Sequence, residues 1–195
     1  MKRVMQITGV LAIFMLLFSS DGSAQVSESF NVEATIPRQN SFNVTITRVE
    51  GNTTNTTNAV DFGRLTFDPQ LNIFTADAYY FVDIGVGTNT PQWSLEHAVT
   101  PVQRAGGEDT LDDHINVVFV KQLSDIASEQ LSKVSYANSD EHTYTRDQLS
   151  GGWLRVFYGI GTGDDQDAPG VSPVTVEKPS GDYVGEVTIT LFSTQ

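Results

Sequence analysis

The residues able to do chemistry are sparse and scattered. His97, His114 and His142 fall in three separate segments, with no HExxH or HxH spacing to gather them round a metal. His97 sits on the apolar face of an alternating stretch and reads as a satisfied, partly buried histidine rather than a catalytic one. No Gly-x-Ser-x-Gly elbow presents a serine. The absence of cysteine removes thiol nucleophiles, disulfides and thiolate-bound metals. Acid pairs such as Asp112-Asp113 occur, but 24 acidic residues make neighbours inevitable, and a glycosidase needs two carboxyls across a cleft. Asp164, Asp165 and Asp167 crowd a glycine-flanked loop whose hard oxygens suit calcium. They lack the D-x-D-x-D-G frame, so the loop reads first as a solvated acidic one, as does Glu108, Asp109, Asp112 and Asp113. The chain is therefore expected to be no enzyme and to carry no cofactor.

With 11 basic residues against 24 acidic and a net charge of −13, the chain of 195 residues lacks the clustered cations of a nucleic-acid surface. Lys2 and Arg3 precede the apolar run Val10 to Phe18, which is too short to span about 30 Å of hydrocarbon. Gly22-Ser23-Ala24 then offers small residues for cleavage before Gln25. Residues 1–24 thus read as a secretory signal peptide. The expected product is secreted to the periplasm or cell surface, without membrane insertion after cleavage.

The elements that must position any site read as strands. Apolar residues alternate in Phe42-Val44-Ile46, Tyr80-Val82-Ile84-Val86, Trp93-Leu95-His97-Val99, Ile115-Val117-Phe119, Leu154-Val156-Tyr158-Ile160 and Tyr183-Val187-Ile189-Leu191. Gly51 to Asn58 reads as a polar loop, and Gly106-Gly107, Gly151-Gly152, Gly161 to Gly170 and Pro179 to Asp182 as further breaks. Thr145 to Gln148 is a capping box opening one or two helical turns. The expectation is an all-β domain over residues 25–195: one antiparallel β-sandwich, immunoglobulin-like or pilin-like, of about nine strands. Aromatics Tyr79, Tyr80, Phe81, Trp153, Phe157 and Tyr158 read first as packing and second as a sugar-binding face. Asn43, Asn52 and Asn55 head Asn-x-Thr sequons and read as turn residues.

A further alternating segment, residues 28–36, leads the domain and is halted by Pro37. It suits either a first strand of its own sheet or a strand added to the edge of another copy. Two motifs bear on that choice. Val60-Asp61-Phe62-Gly63-Arg64-Leu65 resembles an early strand of spore coat U-type and related fimbrial subunits, and Ser180 to Leu191, with its Gly-x-Tyr entry, resembles their closing strand. The resemblance to bacterial pilin-like subunits implies assembly outside the cytoplasmic membrane with copies of itself or related subunits, through a periplasmic chaperone and an usher. The missing cysteines depart from the spore coat U pattern. Trp93-Ser94-Leu95 resembles the Trp-x-Leu signature of bacterial wall-binding domains, but no second copy of that signature follows near the C-terminus.

The leading expectation is an exported, non-catalytic structural subunit of a surface fibre or coat, serving adhesion or envelope architecture. Phe30, Val32, Ala34 and Ile36 would be the side chains of the donated strand. Tyr183, Val187, Ile189 and Leu191 would line the acceptor edge. The alternative is a monomeric extracellular module that binds carbohydrate or cell wall; a secreted hydrolase ranks last.

Overall fold

The computed structural model describes residue 31 and residues 34–127, 131–164 and 167–193. Contacts group the chain into two units, Met1–Ile36 and Pro37–Gln195. The expected signal peptide lies outside the described residues. Of the expected leading strand, Phe30 and Val32 also lie outside them, and Ala34 and Ile36 are in no strand.

The second unit is built of strands, and its longest helical stretch among the described residues is the five-residue 3-10 turn Leu123–Ala127. The strands are β1 (Asn40–Glu50), β2 (Thr53–Thr57), β3 (Thr66–Asp68), β4 (Ile73–Thr75), β5 (Tyr79–Thr88), β6 (Trp93–Val99), β7 (Gln103–Arg104), β8 (Ile115–Val120), β9 (Ser132–Ser135), β10 (His142–Thr145), β11 (Trp153–Ile160), β12 (Val174–Thr175), β13 (Tyr183–Val184) and β14 (Val187–Ser193). They form four antiparallel sheets: β2-β1-β5-β11-β8-β9, β10-β6-β14, β12-β4-β3 and β13-β7. The count exceeds the nine expected because several strands are of two or three residues.

Local chemistry explains the elements. Gly51, at φ +55°, and Asn52 make the two-residue turn that returns β1 into β2, with Glu50 opposite Thr53. The stretch read as a polar loop is therefore partly a strand, because β-branched threonines suit a ladder even where every side chain is polar. Asn43 and Asn55 lie within strands, and only Asn52 is a turn residue. The capping box survives as one 3-10 turn, in which the Gln148 carboxamide oxygen accepts from Thr145 N–H at 2.8 Å.

Inward residues of the six-stranded sheet pair in register across three central strands: Ile84 with Leu154, Val82 with Val156, Tyr80 with Tyr158, and Tyr158 with Val117. They share one core with Trp93, Leu95 and His97 of β6 and Tyr144 of β10. At the centre lies His97, 1 % exposed. Its Nδ1–H donates to the Ser139 carbonyl at 2.8 Å, and its Nε2 accepts the Tyr158 hydroxyl, also at 2.8 Å, with Phe119 edge-on to the ring. Burial lowers its pKa to about 4, so the imidazole is neutral.

That shift gives a pH dependence. The unfolded chain binds a proton at this histidine near pH 6.5, whereas the folded chain does not until about pH 4. Stability is fully present above pH 6.5 and falls between pH 6.5 and 4, by about 3 kcal/mol at most. Denaturant melts at pH 7 and pH 5 should show the loss, and His97→Gln should flatten it while lowering stability at pH 7.

Candidate functional site

β14 is an edge strand: β6 pairs with one side of it, and among the described residues no strand pairs with the other. Ile189 and Leu191 turn inward against the core. Val187 shares the phase of Ile189 and Leu191 yet is 37 % exposed, and Phe192, in the opposite phase, is 48 % exposed. The inner face of the six-stranded sheet is left partly open at β1. Phe42 and Val44 pair with the inward Val86 and Ile84, yet they are 43 % and 40 % exposed. The inner face of β1 is a half-uncovered apolar stripe.

The expected acceptor strand is in fact two. Tyr183–Val184 pairs with β7, and the chain then shifts at Gly185-Glu186 before β14 joins β6. A close approach explains the shift. A Cβ on Gly185 would stand 2.8 Å from Val102 Cγ2 and 3.0 Å from the Thr100 carbonyl. Thr100 and Glu186 close the junction, Thr100 N–H donating to the Glu186 carbonyl and Glu186 N–H to Thr100 Oγ1, each at 2.8 Å. The Tyr136 hydroxyl lies 3.0 Å from the Thr100 carbonyl and 3.2 Å from that of Glu186, bridging both strands. Burial raises its pKa to about 12, so it remains a donor.

Beside this kinked edge runs a groove of about 1370 Å³, floored by Tyr136, Tyr158 and Leu111. One bank is residues 179–187 and the other residues 59–67. The second bank contains the motif Val60–Leu65, which is not a strand here, since among the described residues it has no ladder partner. It is held instead by single contacts. The Tyr80 hydroxyl donates to the Asp61 carbonyl, Phe62 stands edge-on to Tyr80 at 5.6 Å, and the Asp61 carboxylate accepts Gly63 N–H, with Gly63 at φ +61°. At the other end of β14, Arg38 donates to the Ser193 carbonyl at 2.9 Å, and the Asn40 carboxamide meets the Ser193 hydroxyl at 3.0 Å. The segment that follows residue 36 is thus moored to the C-terminal end of β14.

The other candidates are placed as follows. The Asp167 carboxylate accepts the Thr162 and Gly163 N–H groups at 2.9 and 2.8 Å, closing its own loop. Asp167 N–H donates to the Asp164 carbonyl, and Asp165 lies outside the described residues. Among the described residues no three His, Cys, Asp or Glu side chains are grouped to hold a metal. Asp109 pairs with Arg104 at 2.9 Å; Asp112 accepts Val102 N–H at 2.7 Å, and burial raises its pKa. His114 Nδ1 bonds the Ser172 carbonyl at 2.9 Å, and His142 lies against Phe119 and Asn138. Of the six aromatics, Tyr80 and Tyr158 are core. Tyr79, Phe81, Trp153 and Phe157 occupy the outer face of the six-stranded sheet with Arg155 and Asp83. The sequence offers these four among six aromatics without dividing them by face; the dividing signal is the Trp153-Arg155-Phe157 phase, opposite to the core phase of Leu154-Val156-Tyr158.

Comparisons with protein-family models, curated proteins and solved structures found no match for this chain.

The kink gives a direct check. Gly185→Val forces its side chain into Val102 and the Thr100 carbonyl, and should cost about 1–3 kcal/mol by the usual penalty of overpacking. Thermal melts should show it, whereas Gly51→Asn, at a turn with nothing near its Cβ, should shift stability by less than about 1 kcal/mol.

Proposed function

We propose that this chain is an exported, non-catalytic structural subunit of a bacterial surface fibre or coat, joined to its neighbours by β-strand addition. In this reading the fold is a pilin-like, immunoglobulin-type sandwich whose smaller sheet accepts one more strand beside β14. The observation that carries it is the unpaired edge of β14 lying with a half-uncovered apolar face on β1. An incoming strand would pair its backbone with the edge and lay alternate side chains on Phe42 and Val44. Residues 28–36 supply such a strand, with Phe30, Val32, Ala34 and Ile36 on one face.

Connectivity favours a partner copy as the donor. The chain enters β1 beside Ser193, the C-terminal end of β14. A leader laid along its own β14 would approach that end in the same direction and so pair parallel. Antiparallel addition, the arrangement of every ladder described, requires another copy and is the more stable per residue. Export, a chaperone and an usher are the partners that the resemblance brings; the resemblance and the open edge point the same way independently.

The mass in solution of residues 25–195 against residues 41–195 tests this. A ladder of oligomers is expected for the longer chain. The shorter should be a destabilised monomer that an added peptide of residues 25–38 restores. A strictly monomeric longer chain, with a truncation no peptide rescues, overturns the proposal. A charge on the acceptor face should act in the same sense: Val44→Glu should shorten the ladder while leaving the melt of the isolated monomer within about 1 kcal/mol, as expected at a half-exposed site.

A further inference from the structure

We propose that the outer face of the six-stranded sheet, around Trp153, is a binding site for a neutral polysaccharide, with one pyranose ring stacked on the indole above Gly85. The site belongs to the opposite side of the sheet from the core and to a different sheet from β14, so it stands apart from strand addition.

The register assembles it. Trp153 of β11 lies directly across from Gly85 of β5, Arg155 from Asp83, and Phe157 from Phe81. On the next strand, Asn43 lies across from Gly85 and Thr45 from Asp83. Side chains opposite one another in an antiparallel pair share a face, so these residues form one surface. Nothing lies within 4 Å of where a Gly85 Cβ would stand, and its φ is ordinary for any residue. The missing side chain leaves a flat floor flanked by the indole on one side and the Asn43 carboxamide on the other. Tyr79, 47 % exposed, extends the aromatic row beyond Phe157.

The polar centre decides the ligand. Arg155 donates from Nε and one terminal nitrogen to the two Asp83 oxygens, at 2.7 and 2.8 Å. Its guanidinium lies 4.0 Å from the Phe81 centroid and 5.4 Å from the Trp153 ring. The fork is thereby fixed, with two of its five N–H groups engaged on Asp83 and the carboxylate retaining lone pairs. A dry protein partner would have to desolvate this pair without replacing its solvent bonds, which is costly. A sugar ring instead presents an apolar C–H face to the aromatics and hydroxyls to the pair, Asn43 and Thr45. An anionic polymer is disfavoured because Asp83 already matches the charge of Arg155 and the chain carries a net charge of −13.

Titrations of the full chain with laminarin, xyloglucan and galactomannan, with polygalacturonate as the anionic control, test the site through tryptophan emission. Trp93 is buried in the core, so a change in emission reports Trp153. At least one neutral polysaccharide should bind, and polygalacturonate should not. Trp153→Ala should weaken binding at least tenfold with an unchanged far-UV spectrum. Gly85→Val, whose Cβ would meet nothing within 4 Å, should do the same and decides the matter if the alanine variant misfolds. The proposal is overturned if no neutral polysaccharide binds, or if both variants bind as tightly as the parent. It is also overturned if polygalacturonate binds equally well, or if Trp153→Ala dissolves an oligomer and leaves polysaccharide binding intact.

Discussion

A neutral imidazole between two sheets sets the geometry of this domain. His97 must place both ring nitrogens, because a buried polar atom without a partner costs on the order of 1–3 kcal/mol. The partners come from different elements: Tyr158 from the six-stranded sheet and Ser139 from the turn before β10. Those two bonds tie β6 to β11 and to the turn before β10, and Phe119 of β8 stands edge-on to the ring. Pairing then fixes the rest, since β10 must flank β6 on one side and β14 on the other. Ser193 at the end of β14 reaches Asn40 at the start of β1, while Phe42 and Val44 further along β1 stay half exposed.

Much of this was legible in the residues. The inward phases of β5, β6, β8 and β11 follow from period-two alternation, and even His97 appears in the right phase. What alternation cannot carry is pairing. Val60 and Phe62 look like strand residues because they pack against the core, yet a strand needs a ladder and among the described residues this segment has none. Thr53 to Thr57 look like a loop because they lack apolar residues, yet their backbone is paired. The run Tyr183 to Leu191 reads as continuous because nothing in composition reveals that Val102 and Thr100 crowd Gly185 into a kink.

The candidate sites show the same division. That the C-terminal strand forms an edge depends on order within the sheet, which no local pattern encodes. The acidic loop at Asp164 and Asp167 drew attention as a cluster of hard oxygens, but the Asp167 carboxylate is occupied by backbone N–H groups four and five residues upstream. The outer aromatic row could not be told apart from core packing in the sequence, because Phe81, Trp153 and Phe157 interleave with core residues. Only the sheet separates the two faces.

The threonine-rich hairpin partner β2 has its own bearing on architecture. It borders the larger sheet, opposite in character to β14: five residues, all Thr or Asn, with no apolar anchor for a visiting strand. Short, hydrophilic borders discourage lateral stacking. The borders at β14 and β2 thus differ in kind: one lies beside an apolar stripe and the other offers only Thr and Asn, so an addition favoured at the first would not be matched by pairing at the second.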